Sequence, residues 1–313
     1  MKKIFLSVAV ITALVLGLQS CSKEEKSVVE MDDNSKSEMI KLADQLQSLN
    51  ESTLAEYGQS IDFVTRGFDF NVETGPDFYK PEAAKMKWWK RLLCVITADA
   101  VGGACGTAFG GPVGGVALGV GASASMWIAT RSVIRNDNNF KVAMSTMQNN
   151  MNNYMSEYDR IGDCHNIIMT KLENNSSRFI NPDGSENTDA LISLILQYTR
   201  EAGYNTSSLS TFTLKRELNK ISSARLTDEN ATFEEQIANY VKFYPEKKES
   251  LTILKSYINT ASSLPNVNAI KAYSVNFEKT VLNANISVSD KAMLLSGESI
   301  GKNSTVGWTV TSK

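Results

Sequence analysis

A run of small and apolar residues between Asp99 and Arg131 constrains the fold of this chain more than any other part of its sequence. The 31 residues that separate these two charges carry no charge themselves, and nine of them are glycine. A glycine inside a helix costs about 1 kcal/mol relative to alanine. The segment therefore forms a stable helix only where other interactions compensate for that cost.

The glycines follow a helical spacing. Residues four apart lie on one face of a helix, so each of two rows forms a smooth groove that another backbone can approach closely. In lipid, the same small-xxx-small spacing packs helices together, as in a glycine zipper. The first row is Gly102, Gly106, Gly110 and Gly114, and the second row is Gly111, Gly115 and Gly119.

Pro112 lies inside the run, where it breaks or kinks a helix. We therefore predict two apolar helical arms, 92–109 and 113–130, folded into a hairpin within residues 86–135. Each arm has 18 residues, at the lower edge of the ~17–25 that cross a bilayer. Tryptophan near basic residues at the ends of an apolar segment is typical of a membrane interface. The predicted interface anchors are Trp88, Trp89 and Trp127.

The arms have two interpretations at this stage. The hairpin is either a tightly packed core element of an all-α domain or a segment that meets a membrane in some state. Asp99 lies in the first arm, and a bare carboxylate in lipid is costly, which favours the core element. The alanine, serine and glycine content also makes the arms less hydrophobic than a typical membrane-spanning helix.

The N-terminus has the form of a secretory signal peptide, with two lysines before the apolar stretch 4–18. Cys21 follows, with Leu18 three positions before it and Ser20 directly before it. This ending resembles the lipobox of bacterial lipoproteins, although Gln19 replaces the usual small residue. The resemblance implies that the signal peptide 1–20 is removed and that Cys21 is lipidated; an uncleaved anchor helix is the alternative.

The residues after the cysteine resemble the export signal of Bacteroidota surface lipoproteins, which is a lysine followed by two acids. The matching residues are Lys23, Glu24 and Glu25. The resemblance implies an outer-membrane lipoprotein exposed at the cell surface, with the periplasmic face as the alternative. Residues 21–36 are charged and poor in core-forming side chains, so we predict a lipidated cysteine followed by a flexible tether.

The charge balance argues against nucleic-acid binding. Cleavage of the signal peptide removes Lys2 and Lys3, so the 32 basic residues fall to 30 against 34 acidic residues. A mildly acidic protein lacks the general electrostatic attraction to phosphate backbones that nucleic-acid-binding proteins use. We therefore expect no nucleic-acid partner, and the membrane is contacted through the N-terminal lipid.

The remaining chain predicts an all-α fold with a Gly-rich helical hairpin and a C-terminal helical bundle. Residues 37–180 form the predicted hairpin domain and residues 186–313 the predicted bundle, separated by the turn sequence at 181–184. Apolar and methionine residues at helical spacing predict that the second arm continues as a long helix to Tyr158. Further helices are predicted at 37–56, 160–175, 188–202, 209–221, 232–244, 246–261, 267–282 and 287–300. We predict no strand.

The sequence gives little support for a metal site or a reactive cysteine. His165 is the only histidine, and Cys164 beside it belongs to no metal-binding motif. We expect a partly buried cysteine next to a surface histidine, and no metal or cofactor. Cys94 and Cys105 are eleven residues apart, too far to bond each other along a helix. Either could pair with Cys164 in an oxidising compartment, but we expect small packing groups.

The sequence predicts no enzyme. The glycine run lacks the Lys-Ser/Thr that completes a phosphate-binding loop, and the chain has no Gly-x-Ser-x-Gly motif. Asp159 and Asp163 are four residues apart, but charged helix faces of this kind are usually solvated. We expect a non-enzymatic, lipid-anchored envelope or surface lipoprotein that binds protein or other envelope components. The alternative is a membrane-active protein, similar to glycine-zipper bacteriocins and pore-forming toxins, that inserts residues 92–130.

Overall fold

The computed structural model describes residues 33–57, 81–134, 140–144, 156–224 and 233–312. These residues are almost entirely helical, which confirms the predicted all-α class. In chain order the helices are α1 Asp33–Tyr57, α2 Pro81–Ile134, α3 Asp159–Asn174, α4 Thr188–Glu201, α5 Thr211–Ala224, α6 Phe233–Phe243, α7 Lys248–Ser263, α8 Val267–Asn283 and α9 Val288–Gly307. Strand β1, Phe140–Met144, lies between α2 and α3, and strand β2, Trp308–Ser312, follows α9.

Helix α2 is a hairpin of two arms. Gly111 has φ 58° and ψ −157°, outside the helical region, and Pro112 follows it at the start of the second arm. A side chain at this φ costs about 1–2 kcal/mol, a cost that glycine avoids. Proline suits a first helical position because its missing N–H needs no partner there. The hairpin predicted around Pro112 is confirmed, with the break one residue earlier.

The two arms touch through glycine backbone. A Cβ atom added to Gly106 would overlap the carbonyl of Gly114, and one added to Gly114 would overlap the carbonyl of Gly106. At Gly102, an added Cβ would lie 2.8 Å from the Cβ of Ala122 and 2.9 Å from the carbonyl oxygen of Leu118. The absence of a side chain at these glycines therefore allows the two arms to approach this closely. The burial of both arms offsets the low helix propensity of glycine.

Helix α9 lies at the centre of the molecule. It packs against the hairpin α2 and against α3, α7 and α8, so residues 293–305 are all buried. A helix that is buried on every side is normally apolar, but α9 is not. Its buried polar residues are Ser296, Glu298, Ser299, Lys302, Asn303, Ser304 and Thr305. Buried polar groups need partners, and these partners define the candidate site below.

The predicted boundary at 181–184 is a turn, with Gly184 at φ 87°, but it is not a domain boundary. Residues 33–313 form one compact unit. The separation into 37–180 and 186–313 fails because α9, from the second segment, packs against α2 and α3, from the first. The sequence pattern locates the turn but carries no information about which helix returns to the hairpin.

The long helix predicted to run from the second arm to Tyr158 is wrong. Helix α2 ends at Ile134, and β1 pairs antiparallel with β2, with Phe140 opposite Ser312 and Met144 opposite Trp308. Thr309, Val310 and Thr311 are β-branched residues that favour a strand. The pairing joins parts of the chain that are distant in sequence, and the local helical spacing of methionines carries no information about such a contact. Residues 135–139 and 145–155 of the predicted helix lie outside the described residues.

The N-terminal helix begins earlier than predicted. Helix α1 starts at Asp33, so the end of the predicted tether 21–36 is helical. Helix α1 packs on α7 and α8, where the Asn50 amide donates to Ser256 at 2.7 Å and accepts from the Tyr273 hydroxyl at 2.6 Å. The signal peptide 1–20, Cys21 and the export-signal residues Lys23, Glu24 and Glu25 lie outside the described residues.

Candidate functional site

A lysine and three acidic residues meet in the interior around α9. Lys302 Nζ lies 2.7 Å from Glu278 Oε1, 3.1 Å from Asp159 Oδ1 and 3.6 Å from Glu298 Oε1. Their side chains are 8% exposed for Lys302, 4% for Asp159, 2% for Glu278 and 0% for Glu298. We call these four residues the charge cluster. Charged side chains are rarely this buried, and burial without pairing is costly.

Three helices converge to build the charge cluster. Glu298 and Lys302 are one helical turn apart on α9, Asp159 is the first residue of α3, and Glu278 comes from the C-terminal part of α8. Gly162 allows α3 to approach, because an added Cβ would overlap the Ser299 carbonyl. The Ser299 hydroxyl fixes this contact.

That hydroxyl donates to the Asp159 carbonyl at 2.8 Å and accepts from the Gly162 N–H at 3.0 Å. Both bonds join α9 to the first turn of α3. They hold the backbone that carries the Asp159 carboxylate, so the position of this carboxylate follows from the packing of the two helices.

Aromatic side chains close one side of the charge cluster. Tyr257 donates to Glu298 Oε1 at 3.2 Å, and its oxygen lies 2.6 Å from Ser274 Oγ. The Tyr257 ring stacks on Tyr273 with centroids 5.3 Å apart and meets Phe277 at 4.7 Å. The rings keep this side apolar, so the charges are paired with one another away from solvent.

The electrostatics follow from one cation among three acids. Burial and then the neighbouring Glu298 raise the pKa of Glu278 to about 9, although Lys302 acts in the opposite direction. Burial also raises the pKa of Glu298, again against the effect of Lys302. Burial alone lowers the pKa of Lys302, but the three acids outweigh it and raise this pKa. These raised pKa values favour an ammonium group on Lys302 and a protonated Glu278 at neutral pH.

The three carboxylates have the spacing of a cation site. One oxygen from each of Asp159, Glu278 and Glu298 lies within 4.8 Å of the others. Oxygen-only ligand sets suit Mg²⁺ or Ca²⁺, but Lys302 Nζ is already within 4 Å of all three acids. The chain thus supplies its own cation, and the geometry fits an internal ion network better than a metal centre.

A second buried polar contact joins the hairpin to α3 and α9. Asp99 Oδ2 accepts from the Ser304 hydroxyl at 2.8 Å and lies 3.9 Å from His165 Nε2. The other ring nitrogen of His165 lies 2.9 Å from Asn166 Oδ1. The carboxylate that the sequence places in an apolar arm therefore lies in a polar pocket of the protein interior.

The predicted surface position of His165 is wrong, because its side chain is 0% exposed. Burial lowers the pKa of His165, and the nearby Asp99 only partly restores it. The unfolded chain therefore binds a proton more readily than the folded one, and the stability linked to His165 is lost as pH falls below about 6.5.

The cysteines behave as packing groups where the structure describes them. Cys105 and Cys164 are buried free thiols, as expected, and burial raises the pKa of Cys105 to about 12. Such a thiol is almost never the reactive thiolate. The side chain of Cys94 lies outside the described residues.

The predicted groove glycines have four different surroundings. Those that pack between the two arms are Gly102, Gly106, Gly114 and Gly115. Gly119 instead faces Ile300 of α9, with an added Cβ 2.6 Å from Ile300 Cδ1, and Gly110 faces Leu209. Gly111 forms the bend, where an added Cβ meets no atom within 4 Å. Gly103, which belongs to neither predicted row, also faces Ile300.

The apolar arms lie mostly inside the protein. By length and composition, Val95–Ala129 is apolar enough to cross a membrane, and 83% of its most apolar window is buried. The core helix of a soluble protein passes the same test. Trp127 is 5% exposed, so it is not an exposed interface anchor in this conformation. The side chains of Trp88 and Trp89 lie outside the described ones.

The sequence alone does not reveal the charge cluster. The predicted solvation of Asp159 is wrong, because this residue is 4% exposed, and Glu278, Glu298 and Lys302 belong to no predicted site. One signal was available, because Glu298 and Lys302 are four residues apart within a stretch rich in small and apolar residues. That spacing predicts an ion pair, but only the tertiary fold shows that α9 is buried.

Comparisons with protein-family models, curated proteins and solved structures found no match to this chain.

Proposed function

We propose that this protein is a non-enzymatic, lipid-anchored envelope lipoprotein whose helical body binds a protein partner at the cell surface. One structural observation supports the anchor. Helix α1 begins at Asp33, twelve positions after Cys21 in the sequence. Cys21 therefore precedes the folded body by a short segment, as a lipid attached to a tether requires. Two acyl chains on this cysteine supply membrane affinity that does not depend on the body.

The anchor is tested by Cys21→Ala. We expect the variant to lose metabolic labelling with a fatty-acid analogue and to leave the outer-membrane fraction, because no thiol remains to be acylated. Cys164→Ala is the matched control, since its thiol is buried in the body, and it should label normally. Unchanged labelling of Cys21→Ala would contradict the proposal, and protease treatment of intact cells separates surface from periplasmic exposure.

The bend of the hairpin is the surface that best fits a protein partner. Phe109 is 37% exposed beside the bend, and Phe212, at the start of α5, is 75% exposed. Gly110 packs on Leu209, with an added Cβ 2.6 Å from Leu209 Cδ2, which brings the segment before α5 to the bend. Exposed aromatic side chains are enriched where proteins bind each other.

A photoreactive amino acid at Phe212 tests this surface in the native envelope. We expect one discrete covalent product whose yield falls when Phe109→Ser is added, because both side chains contribute to one contact. The same probe at Lys41, which is 63% exposed on α1, should not give that product. A product that forms equally at both positions, or is insensitive to Phe109→Ser, would reject the surface.

The apolar span Val95–Ala129 also favours a second candidate function, insertion of the glycine-zipper hairpin into a target bilayer. Dye release from liposomes by the soluble form that begins at Ser22 tests it. Gly110→Leu is the informative variant, because a Cβ added there meets only the flexible end of Leu209, and we expect the fold to stay intact. Leakage that disappears with Gly110→Leu supports insertion, and absence of leakage from a folded protein rejects it.

A further inference from the structure

The charge cluster brings a lysine amine against carboxyl groups in the interior of the protein. Lys302 Nζ lies 2.7 Å from Glu278 Oε1 and 3.1 Å from Asp159 Oδ1. We propose that Lys302 and Glu278 form an intramolecular isopeptide bond, an amide between Lys302 Nζ and Glu278 Cδ, that links α8 to α9 covalently. This modification is independent of the proposed lipid anchor and partner surface.

The positions of the two side chains favour this bond. Two reacting groups that are held in contact behave as if each were present at an effective concentration of about 10⁵ M or more. Lys302 and Glu278 are held from opposite sides by the packing of α9 against α8, and both are shielded from water. Exclusion of water favours amide formation, because the reaction releases a water molecule and buried amides resist hydrolysis.

Charge is the second argument. A buried ammonium and its counter-ion carry a desolvation cost that their attraction does not always repay. Conversion of the amine and a carboxyl group into a neutral amide removes this cost. The two remaining acids, Asp159 and Glu298, then stay beside an amide that can donate a hydrogen bond. The product is therefore better suited to the interior than the separate side chains.

The neighbouring acids supply the proton transfers. Asp159 accepts a proton from the Lys302 ammonium, 3.1 Å away, which frees the nitrogen lone pair. That lone pair attacks Cδ of the Glu278 carboxylic acid, and the new C–N bond gives a tetrahedral intermediate. Glu298 accepts the surplus proton from nitrogen and returns one to the departing hydroxyl group, which leaves as water. Glu298 ends unchanged, Asp159 ends protonated, and no oxidant or cofactor is consumed.

The protonation state of Glu278 suits this reaction. Burial keeps Glu278 in the acid form, with a pKa of about 9, and a neutral carboxylic acid is attacked by an amine far more readily than a carboxylate is. Glu298 accepts from the Tyr257 hydroxyl, and one of its oxygens lies within 4.8 Å of a Glu278 oxygen, so it is placed near the carbon under attack. Asp159 and Glu298 act on protons, while Glu278 and Lys302 are the groups that become joined.

Peptide mass spectrometry of the full-length protein, denatured and digested with trypsin, tests the bond. An unlinked chain gives the separate peptides 272–279 and 292–302, because Lys271, Lys279, Lys291 and Lys302 are all cleavage sites. We expect a branched product instead, in which 272–279 is joined to 292–313, with no cleavage at Lys302. Its mass should equal the sum of the masses of the two peptides minus one water. The product should survive denaturation, because an amide is covalent and an ion pair is not.

Two outcomes would overturn the proposal. One is recovery of 292–302 in the same yield as the neighbouring peptide 280–291. The other is a branched product that joins 292–313 to 142–160, the peptide that contains Asp159. Lys302→Arg is the control variant, because arginine keeps the charge and the tryptic site but cannot form the amide. The wild-type digest decides the question even if this variant does not fold.

Discussion

Gly106→Ala is expected to lower the free energy of unfolding by about 3 kcal/mol, at the upper end of the range for overpacked cores. The added Cβ would overlap the carbonyl oxygen and carbon of Gly114 and lie 2.9 Å from Leu118 Cβ. Backbone atoms cannot rotate away as a side chain does. The arms must therefore separate. This separation also exposes part of the surface that the hairpin buries against α9.

The matched control is Gly110→Ala, four residues away on the same predicted row. Its new Cβ meets only Leu209 Cδ2 at 2.6 Å, and a leucine methyl can move at little cost. Because alanine also gains about 1 kcal/mol of helix propensity over glycine, this variant should unfold close to the wild-type midpoint. Urea denaturation followed by circular dichroism measures both, and equal losses for the two variants would disprove the contact argument.

These two variants also refine the test of membrane insertion. The sequence pattern gives Gly106 and Gly110 the same status, so it proposes either one as a probe of the groove. The structure separates them, because Gly106 packs between the arms and Gly110 packs on Leu209. A change at Gly106 disturbs the fold in both candidate functions, and only a change at Gly110 can report on the bilayer.

The hairpin was predictable because its signals are local. Gly111 and Pro112 act on their own backbone, and the four-residue spacing of glycines follows from helix geometry. The strand pair was not predictable in the same way, since β1 meets β2 only after the whole body has folded. The burial of α9 was hidden for the same reason. Its polar residues are typical of an exposed helix until α2, α3, α7 and α8 surround it.

The charge cluster is the clearest example of a feature that the sequence does not predict. Asp159, Glu278 and Lys302 lie on three different helices, with α3 far from α8 and α9 in sequence, and each residue type is usually solvated. The prediction that Asp159 is solvated followed that general rule and failed, because Gly162 and Ser299 bring α3 against α9. A helix–helix contact between distant segments decides which charges are buried, and the sequence does not display it.

Lys302→Met is expected to lower the free energy of unfolding by about 3–5 kcal/mol, the cost of removing one partner from a buried ion network. Methionine keeps the length and the apolar stem of lysine, so packing changes little. Whether Lys302 acts as an ammonium or through its amide, methionine replaces neither. Asp159, Glu278 and Glu298, which lie within 4.8 Å of one another, then lose their contact with the Lys302 ammonium.

The pH dependence of this loss identifies its cause. Burial raises the pKa of Glu298 and Lys302 opposes that effect, so removal of Lys302 raises the pKa of Glu298 further. The folded variant then binds more protons than the folded wild type, and its stability falls more steeply as pH rises. We therefore expect a smaller deficit at pH 5 than at pH 8, measured by urea denaturation.

Lys215→Met is the matched control for the same experiment. Lys215 Nζ lies 2.6 Å from Asp189 Oδ1, but the two side chains are 42% and 73% exposed. Exposed ion pairs contribute about 0–1 kcal/mol, so this variant should unfold near the wild-type midpoint at both pH values. A Lys302→Met deficit as small as that of Lys215→Met, or one that does not change with pH, would mean that the buried acids do not depend on Lys302. The stability of α9 in the interior would then rest on its packing and its hydroxyl hydrogen bonds alone.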